Sequence, residues 1–267
     1  MMKNSNKKNK KHFFISIIFV FFLFGAVLSV AFLEQRGFFQ VTNFETTIVQ
    51  PEDQKNYMEP FIEDLKQELQ KKVGQSLFKM NLTELVKEVQ KKSWVKEVHV
   101  RRVWPHQVHL QIDSKSIQML YRNKKSQIQA LLEDGALIES PSKNFPVVPY
   151  LKGKEFESQL NLRRKAVAFL SQIPKDGRFQ QKEILEIQYS EKEGFQVSLE
   201  ASSLKVNLGT EDIEKKSKRV SKILDYLDVH KLQAESLDLS AEKKAFAKIK
   251  KSEIESSEVT ASSIDKN

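Results

Sequence analysis

The densest set of chemistry-bearing side chains in this sequence lies between Glu97 and Asp113. Glu97, His99 and Arg101 alternate along one run, and His109, Gln111 and Asp113 alternate along the next. A hairpin of two such strands brings all six to one face. Two imidazoles with carboxylates are the donor types of a zinc site. The rival reading is a solvated sheet face, because Val98, Val100, Val108, Leu110 and Ile112 make the opposite face apolar, and Arg101 sets a repelling cation among the would-be ligands. The solvated face is the reading adopted: no metal, cofactor or catalytic residue is assigned. His12, His106 and His230 have no acid or nucleophile beside them that would make them a site. The chain contains no Cys, which excludes disulfides, Cys-ligated zinc, iron–sulfur clusters and thiol catalysis. Neither GxxxxGK[ST], GxGxxG nor GxSxG occurs.

With little to read as catalysis, the informative features are the elements themselves. Of 267 residues, 44 are Lys or Arg and 35 are Asp or Glu, for a formal charge of +9. Five of the Lys fall before residue 13 with no acid among them, so about half of the excess is a terminal tag. A nucleic-acid partner is therefore not favoured. Phe13–Leu33 is a run of 21 residues without a charge. As a helix it is about 30 Å long, which matches the hydrocarbon core of a bilayer. Signal peptides have shorter apolar regions, so the run reads as an uncleaved span over 13–33. Lys3, Lys7, Lys8, Lys10 and Lys11 precede it. The positive-inside rule then places the tail (1–12) in the cytoplasm and exports the chain beyond residue 33.

Residues 38–113 and 114–249 read as two modules, and 250–267 as a Ser-rich, charged, disordered tail. In the first module, Phe39, Val41 and Phe44 suggest a short strand. Tyr57, Phe61, Leu65, Leu69 and Val73 recur at helical spacing up to Gly74, with Pro60 marking a start that falls later than Tyr57. Asn81 and Glu84 form a capping pattern before Leu82, Leu85, Val86 and Val89. The hairpin comes next, with Trp94 and Trp104 expected to close the two ends of the core. The second module shows short strands at Ile117–Tyr121, Ile128–Leu132, Ile184–Tyr189, Phe195–Leu199 and Leu204–Leu208. A helix at Leu160–Ile173 and another capped by Thr210 lie among them, and Leu237–Ile249 is read as one last extended piece. The class is α+β.

Several segments together resemble the bacterial cell-division family FtsQ/DivIB. Gly74-Gln75-Ser76-Leu77-Phe78, Ser93-Trp94-Val95 with Val98-His99-Val100-Arg101-Arg102-Val103-Trp104-Pro105, and Leu131-Leu132-Glu133-Asp134-Gly135 are similar to family motifs and occur in family order. So are Pro149-Tyr150-Leu151-Lys152-Gly153, Leu208-Gly209 and Leu237-Asp238-Leu239. Ser240 stands where the family typically has Arg, and Ala241 where it often has Tyr. The resemblance implies a β-α-α-β-β POTRA domain followed by a β-rich domain, both periplasmic, on a single-pass inner-membrane protein of the division septum. It implies a non-enzymatic scaffold that recruits division proteins through small bitopic partners resembling FtsB and FtsL, with no nucleic acid and no small-molecule substrate. A last edge strand that accepts a partner strand makes Asp238, Leu239, Ala241, Ala245, Phe246 and Ile249 the expected partner-binding residues. The alternatives are a membrane-tethered periplasmic cell-wall enzyme or binding protein, and a POTRA-bearing secretion or envelope-assembly component.

Overall fold

The computed structural model describes residues 5–139, 141–200, 204–241 and 244–250. The expected tail at 250–267 lies outside them except for Lys250. The chain opens with helix α1 (Ser5–Gln35). Its Ser16–Gln35 stretch has a mean hydropathy of 2.7, none of it is buried, and it is long and apolar enough to cross a membrane. Bulky side chains point outward all round it, Phe21 and Phe22 being 73% exposed, an arrangement that suits lipid rather than water. The described residues fall into two compact units: one comprises 5–50, α1 included, and 59–114, the other 51–58 and the described residues between 115 and 250.

The first unit holds β1 (Asn43–Val49), most of α2 (Lys55–Gln70), α3 (Leu82–Gln90), β2 (Val95–Val103) and β3 (Gln107–Ser114). Its sheet runs β1-β3-β2, with β1 parallel and β2 antiparallel to β3. This is the β-α-α-β-β order of a POTRA domain. Val108, Leu110 and Ile112 are fully buried, and Leu65 and Leu69 of α2 with Leu85 and Val89 of α3 supply the helical side of the core. Asn81 caps α3, its Oδ1 accepting from the Glu84 N–H at 3.2 Å. Lys92 Nζ, just after α3, reaches Glu68 at 2.9 Å and Asp64 at 3.1 Å on α2. Burial works against that ammonium, but the two carboxylates outweigh it and raise its pKa above the ordinary lysine value. The loop between the helices is held by Arg102, whose guanidinium donates to the Leu77 and Met80 carbonyls at 2.8 and 2.7 Å.

The second unit is a nine-stranded mixed sheet flanked by helices. In chain order its elements are β4 (Ile117–Arg122), β5 (Ile128–Leu132), β6 (Leu137–Ile138), β7 (Tyr150–Lys152), α4 (Glu155–Ser158), α5 (Leu160–Ser171), β8 (Ile184–Ser190), β9 (Gly194–Leu199), β10 (Lys205–Gly209), α6 (Ile213–Val229), β11 (Ala234–Asp238) and β12 (Phe246–Ile249). The spatial order is β12-β11-β10-β9-β8-β7-β4-β5-β6. Phe169 of α5 stacks on Phe195 of β9 with centroids 4.4 Å apart, in a core that also includes Phe156, Phe179, Ile187, Val206 and Val220. The segment 51–58 joins this unit through Gln54, whose buried carboxamide donates to the Ile117 carbonyl at 3.0 Å and accepts from its N–H at 2.8 Å. Asp134 turns β5 into β6. Burial raises its carboxyl, but the hydrogen bonds from Lys115 (2.7 Å) and the Ala136 N–H (3.0 Å) outweigh that and hold it below the ordinary carboxylate range.

Some local expectations are corrected. The first strand begins at Asn43, later than Phe39 and Val41, because those residues instead bond to the 75–77 loop through their backbones. Pro60 lies inside α2 and does not delay its start, since the helix begins at Lys55. The proline removes the N–H that would pair with the Asn56 carbonyl, and the Ser142 hydroxyl donates to that carbonyl at 3.2 Å instead. Asp212, not Thr210, precedes α6 as its cap residue, with φ +54° and no side-chain bond. The last extended piece is a hairpin of two strands, β11 and β12. Trp94 is buried as expected, at 3%, but Trp104 is 54% exposed.

Candidate partner-binding edge

Among the described residues, the sheet of the second unit ends on one side at β12. Its register against β11 is Asp238↔Phe246, Leu237↔Ala247, Ser236↔Lys248 and Ala234↔Ile249, with an irregularity between Ala234 and Ser236. All four β12 residues are exposed. The Lys250 N–H donates inward to the Gln233 carbonyl at 2.7 Å. Backbone groups alternate sides along an antiparallel strand, so Lys248 and Phe246 also face β11. Ala245, Ala247 and Ile249 then turn their N–H and C=O groups away from the sheet. Such a row is a template for an incoming strand.

The six residues expected at this edge occupy different places. Phe246 (61% exposed) and Ile249 (41%) lie on β12 itself, and Ala245 is exposed one residue before it. Ala241 is exposed in the connection. Asp238 ends β11, and its Oδ1 accepts from the Ser240 N–H at 2.8 Å, which shapes the turn toward β12. Leu239 is fully buried, and its N–H donates to the Asn207 carbonyl at 2.8 Å. Its side chain therefore supports the edge from the core and offers a partner no surface. Lys248 reaches across to Glu235 at 2.8 Å, and that ammonium holds the exposed Glu235 carboxyl below its ordinary range.

Sequence reasoning missed the residue that positions this hairpin. Lys216 on α6 is only 4% exposed, and its ammonium donates to the Leu208 carbonyl at 2.8 Å and the Ser240 carbonyl at 3.2 Å. It ties α6 to the end of β10 and to the residue that leaves β11. A signal was present, since Lys216 falls one turn before Val220 on the apolar stripe of α6, but a lysine there reads as a solvated flank.

The wet face of the first unit holds the other candidate cluster. Register pairs His99 with Gln111, Arg101 with His109 and Glu97 with Asp113. His109 meets Thr47 Oγ1 at 3.1 Å through one ring nitrogen and Arg101 Nε at 3.3 Å through the other. His99 lies 3.2 Å from Glu97. Among the described residues no three His, Asp or Glu converge as a metal group would require. With both nitrogens of His109 engaged, this face offers the contacts of a solvated sheet.

Comparison with known proteins bears on both units. Residues 62–113 match the POTRA domain, FtsQ-type, and residues 119–240 match the C-terminal domain of cell division protein FtsQ/DivIB. The chain belongs to the FtsQ/DivIB family. The matched regions begin within α2 and take in α3 and the hairpin of the first unit, and in the second unit run from within β4 as far as Ser240; β1 and β12 lie beyond them. A relative from Geobacter sp. (strain M21), cell division protein FtsQ, is 24% identical over 177 residues, 58% of this chain and 63% of the relative. The chain thus spans somewhat under two thirds of that relative's length. Among the described residues, one helix is long and apolar enough to cross a membrane, and its place before the POTRA order fits a bitopic protein of this cell-division family.

Proposed function

We propose that this chain is a non-enzymatic scaffold of the bacterial divisome, linking early and late septum-assembly proteins by periplasmic contacts. Helix α1 anchors it in the inner membrane, with the basic tail in the cytoplasm and the modules at 38–113 and 114–249 in the periplasm at the septum. Its partners are small bitopic proteins resembling FtsB and FtsL, and one of them adds a strand to β12. The observation that carries this reading is an exposed edge strand in a chain of the FtsQ/DivIB family. Backbone hydrogen bonds supply the joining, and alternate side chains of β12 supply the selectivity.

Cells depleted of the chain are expected to grow as filaments with segregated nucleoids and no septa, a phenotype that neither an envelope-assembly component nor a cell-wall enzyme explains. A wild-type copy restores septation, and an Ala247→Pro copy does not. The substitution removes an outward donor while the inward bonds of Phe246 and Lys248 remain. It should weaken capture of the membrane partners about tenfold, the worth of roughly one backbone hydrogen bond plus local stiffening. A folded Ala247→Pro chain that binds its partners and divides cells normally would remove strand addition at β12 from the mechanism.

Orientation has its own test, made clean by the absence of Cys. With the outer membrane permeabilised, an impermeant thiol reagent is expected to label Ser256→Cys and spare Ser5→Cys. The opposite pattern reverses the topology.

A further inference from the structure

Just past α1, four aromatic rings of the first unit gather from three separate segments. Phe38 and Phe39 come directly after the helix, Phe78 from the loop before α3, and Trp104 from the turn between β2 and β3. Ring centroids are 5.1 Å apart for Phe38–Phe39, 4.9 Å for Phe39–Phe78, 4.8 Å for Phe78–Trp104 and 6.0 Å for Phe39–Trp104. Yet Phe38, Phe78 and Trp104 are 51%, 44% and 54% exposed. A single exposed aromatic asks for no explanation, whereas a contiguous group marks an interaction surface.

The group is held firmly in place. The Leu77 N–H donates to the Phe39 carbonyl (2.8 Å), and Val41 exchanges backbone bonds with Gln75 (2.9 Å) and Gly74 (2.8 Å). On the other side the Phe38 N–H donates to the Leu33 carbonyl at 3.0 Å, in the last turn of α1. Glu34 accepts from the Ser76 hydroxyl at 3.0 Å and pairs with Lys79 at 3.4 Å. The cluster therefore stands on the end of the apolar helix.

That continuity identifies what covers it. Phe38 is three residues beyond Gln35, so its backbone lies within about 11 Å of the helix end. The headgroup layer on each side of the hydrocarbon is itself about 5–7 Å thick. Aromatic rings, tryptophan above all, partition to that layer, where an apolar body and a polar N–H are both accommodated. Arg36, with its guanidinium 4.7 Å from the Phe32 ring, places a cation at the same level, suited to lipid phosphates. We propose that Phe38, Phe39, Phe78 and Trp104 form a lipid-interface anchor that seats the first unit on the membrane surface where α1 emerges. The proposal rests on α1 crossing the bilayer.

The full-length chain in vesicles of phosphatidylcholine and phosphatidylglycerol, brominated at shallow or deep acyl positions, tests this. The emission difference between the wild-type chain and Trp104→Phe isolates Trp104 from the buried Trp94. Shallow bromines are expected to remove about half or more of that difference signal, deep bromines less, and aqueous iodide little. Free quenching by iodide with no response to bromine would show Trp104 in water and overturn the anchor. Protection from both quenchers, as when a second copy covers the rings, overturns it as well. Flotation in alkaline carbonate reads the span separately. A chain that floats while its Trp104 is water-exposed loses the interface anchor and keeps the span; a chain that does not float loses both.

Discussion

Leu110→Asp is expected to unfold the first unit. Leu110 is fully buried in the middle of β3, opposite Val100 on β2 and Thr46 on β1, so the new carboxylate has neither water nor a cation to meet. An unpaired buried charge, together with the lost apolar burial, costs several kcal/mol, with about 3 or more expected here. His99→Ala on the opposite face should change stability by no more than about 0.5 kcal/mol, since its ring is largely exposed and the Glu97 carboxylate 3.2 Å from it is also exposed. Urea unfolding followed by Trp94 emission measures both, because that indole is packed in the same unit. Similar losses for the two variants would mean that the buried and wet faces have been assigned the wrong way round. A stable His99→Ala chain that fails in division would instead move attention to the polar face.

Gly194→Val should disrupt the second unit by a different physical route. Gly194 opens β9 with φ +75°, a conformation that L side chains rarely adopt. A Cβ there would come within 2.6 Å of the Gly209 carbonyl carbon and 2.7 Å of its Cα, closer than real Cβ atoms approach anything. The obstacle is backbone, so no rotamer change relieves it. Left-handed strain of about 1–2 kcal/mol and overpacking of about 1–3 kcal/mol together give a loss near 3 kcal/mol. Gly177→Ala is the control: its φ is +96°, but nothing lies within 4 Å of the added carbon, so only the conformational part is expected. Amide hydrogen exchange across β8–β10 checks the pair. Equal loss of protection in both variants would rule out the close approach to Gly209 as the cause.

The two glycines illustrate what a linear reading reaches. Nothing in the sequence around Gly194 reveals that Gly209 will lie against it, because the contact exists only once β9 and β10 pair. The hairpin of the first unit is the opposite case. Its alternating Val, Leu and Ile residues define which face is buried before any partner is known, since the strand period is two and one face must leave water. Asn81 as a helix cap and Asp134-Gly135 as a turn were equally legible, because each acts on groups within three residues of itself.

At the candidate edge the division is sharper still. Composition and order along the chain placed Leu237-Asp238-Leu239 and Phe246 near a terminal strand, but not on which side of the sheet each would face. Pairing of β11 with β10 buries Leu239, while β12, with a neighbour on one side only among the described residues, leaves Phe246 and Ile249 in water. Lys216 was missed for the same reason: its acceptors, Leu208 and Ser240, come from segments eight and twenty-four residues away. Trp104 was expected in the core because aromatic residues beside alternating strands usually pack there. Its position in the turn, against Phe39 and Phe78, keeps it at the surface.

What the sequence by itself determined is therefore local and periodic: an apolar helix of bilayer length, the β-α-α-β-β order, the buried face of the hairpin, and the motifs that place the chain in its family. These depend on hydrophobic period and on neighbours a few residues apart, where chain connectivity already enforces proximity. Tertiary structure alone decided the nine-strand order, the outward row of amides on β12, the buried lysine beneath it and the aromatic group at the end of α1. Each of these joins residues far apart in sequence, and their proximity arises only when long-range pairing repays the entropy of closing the loops between them.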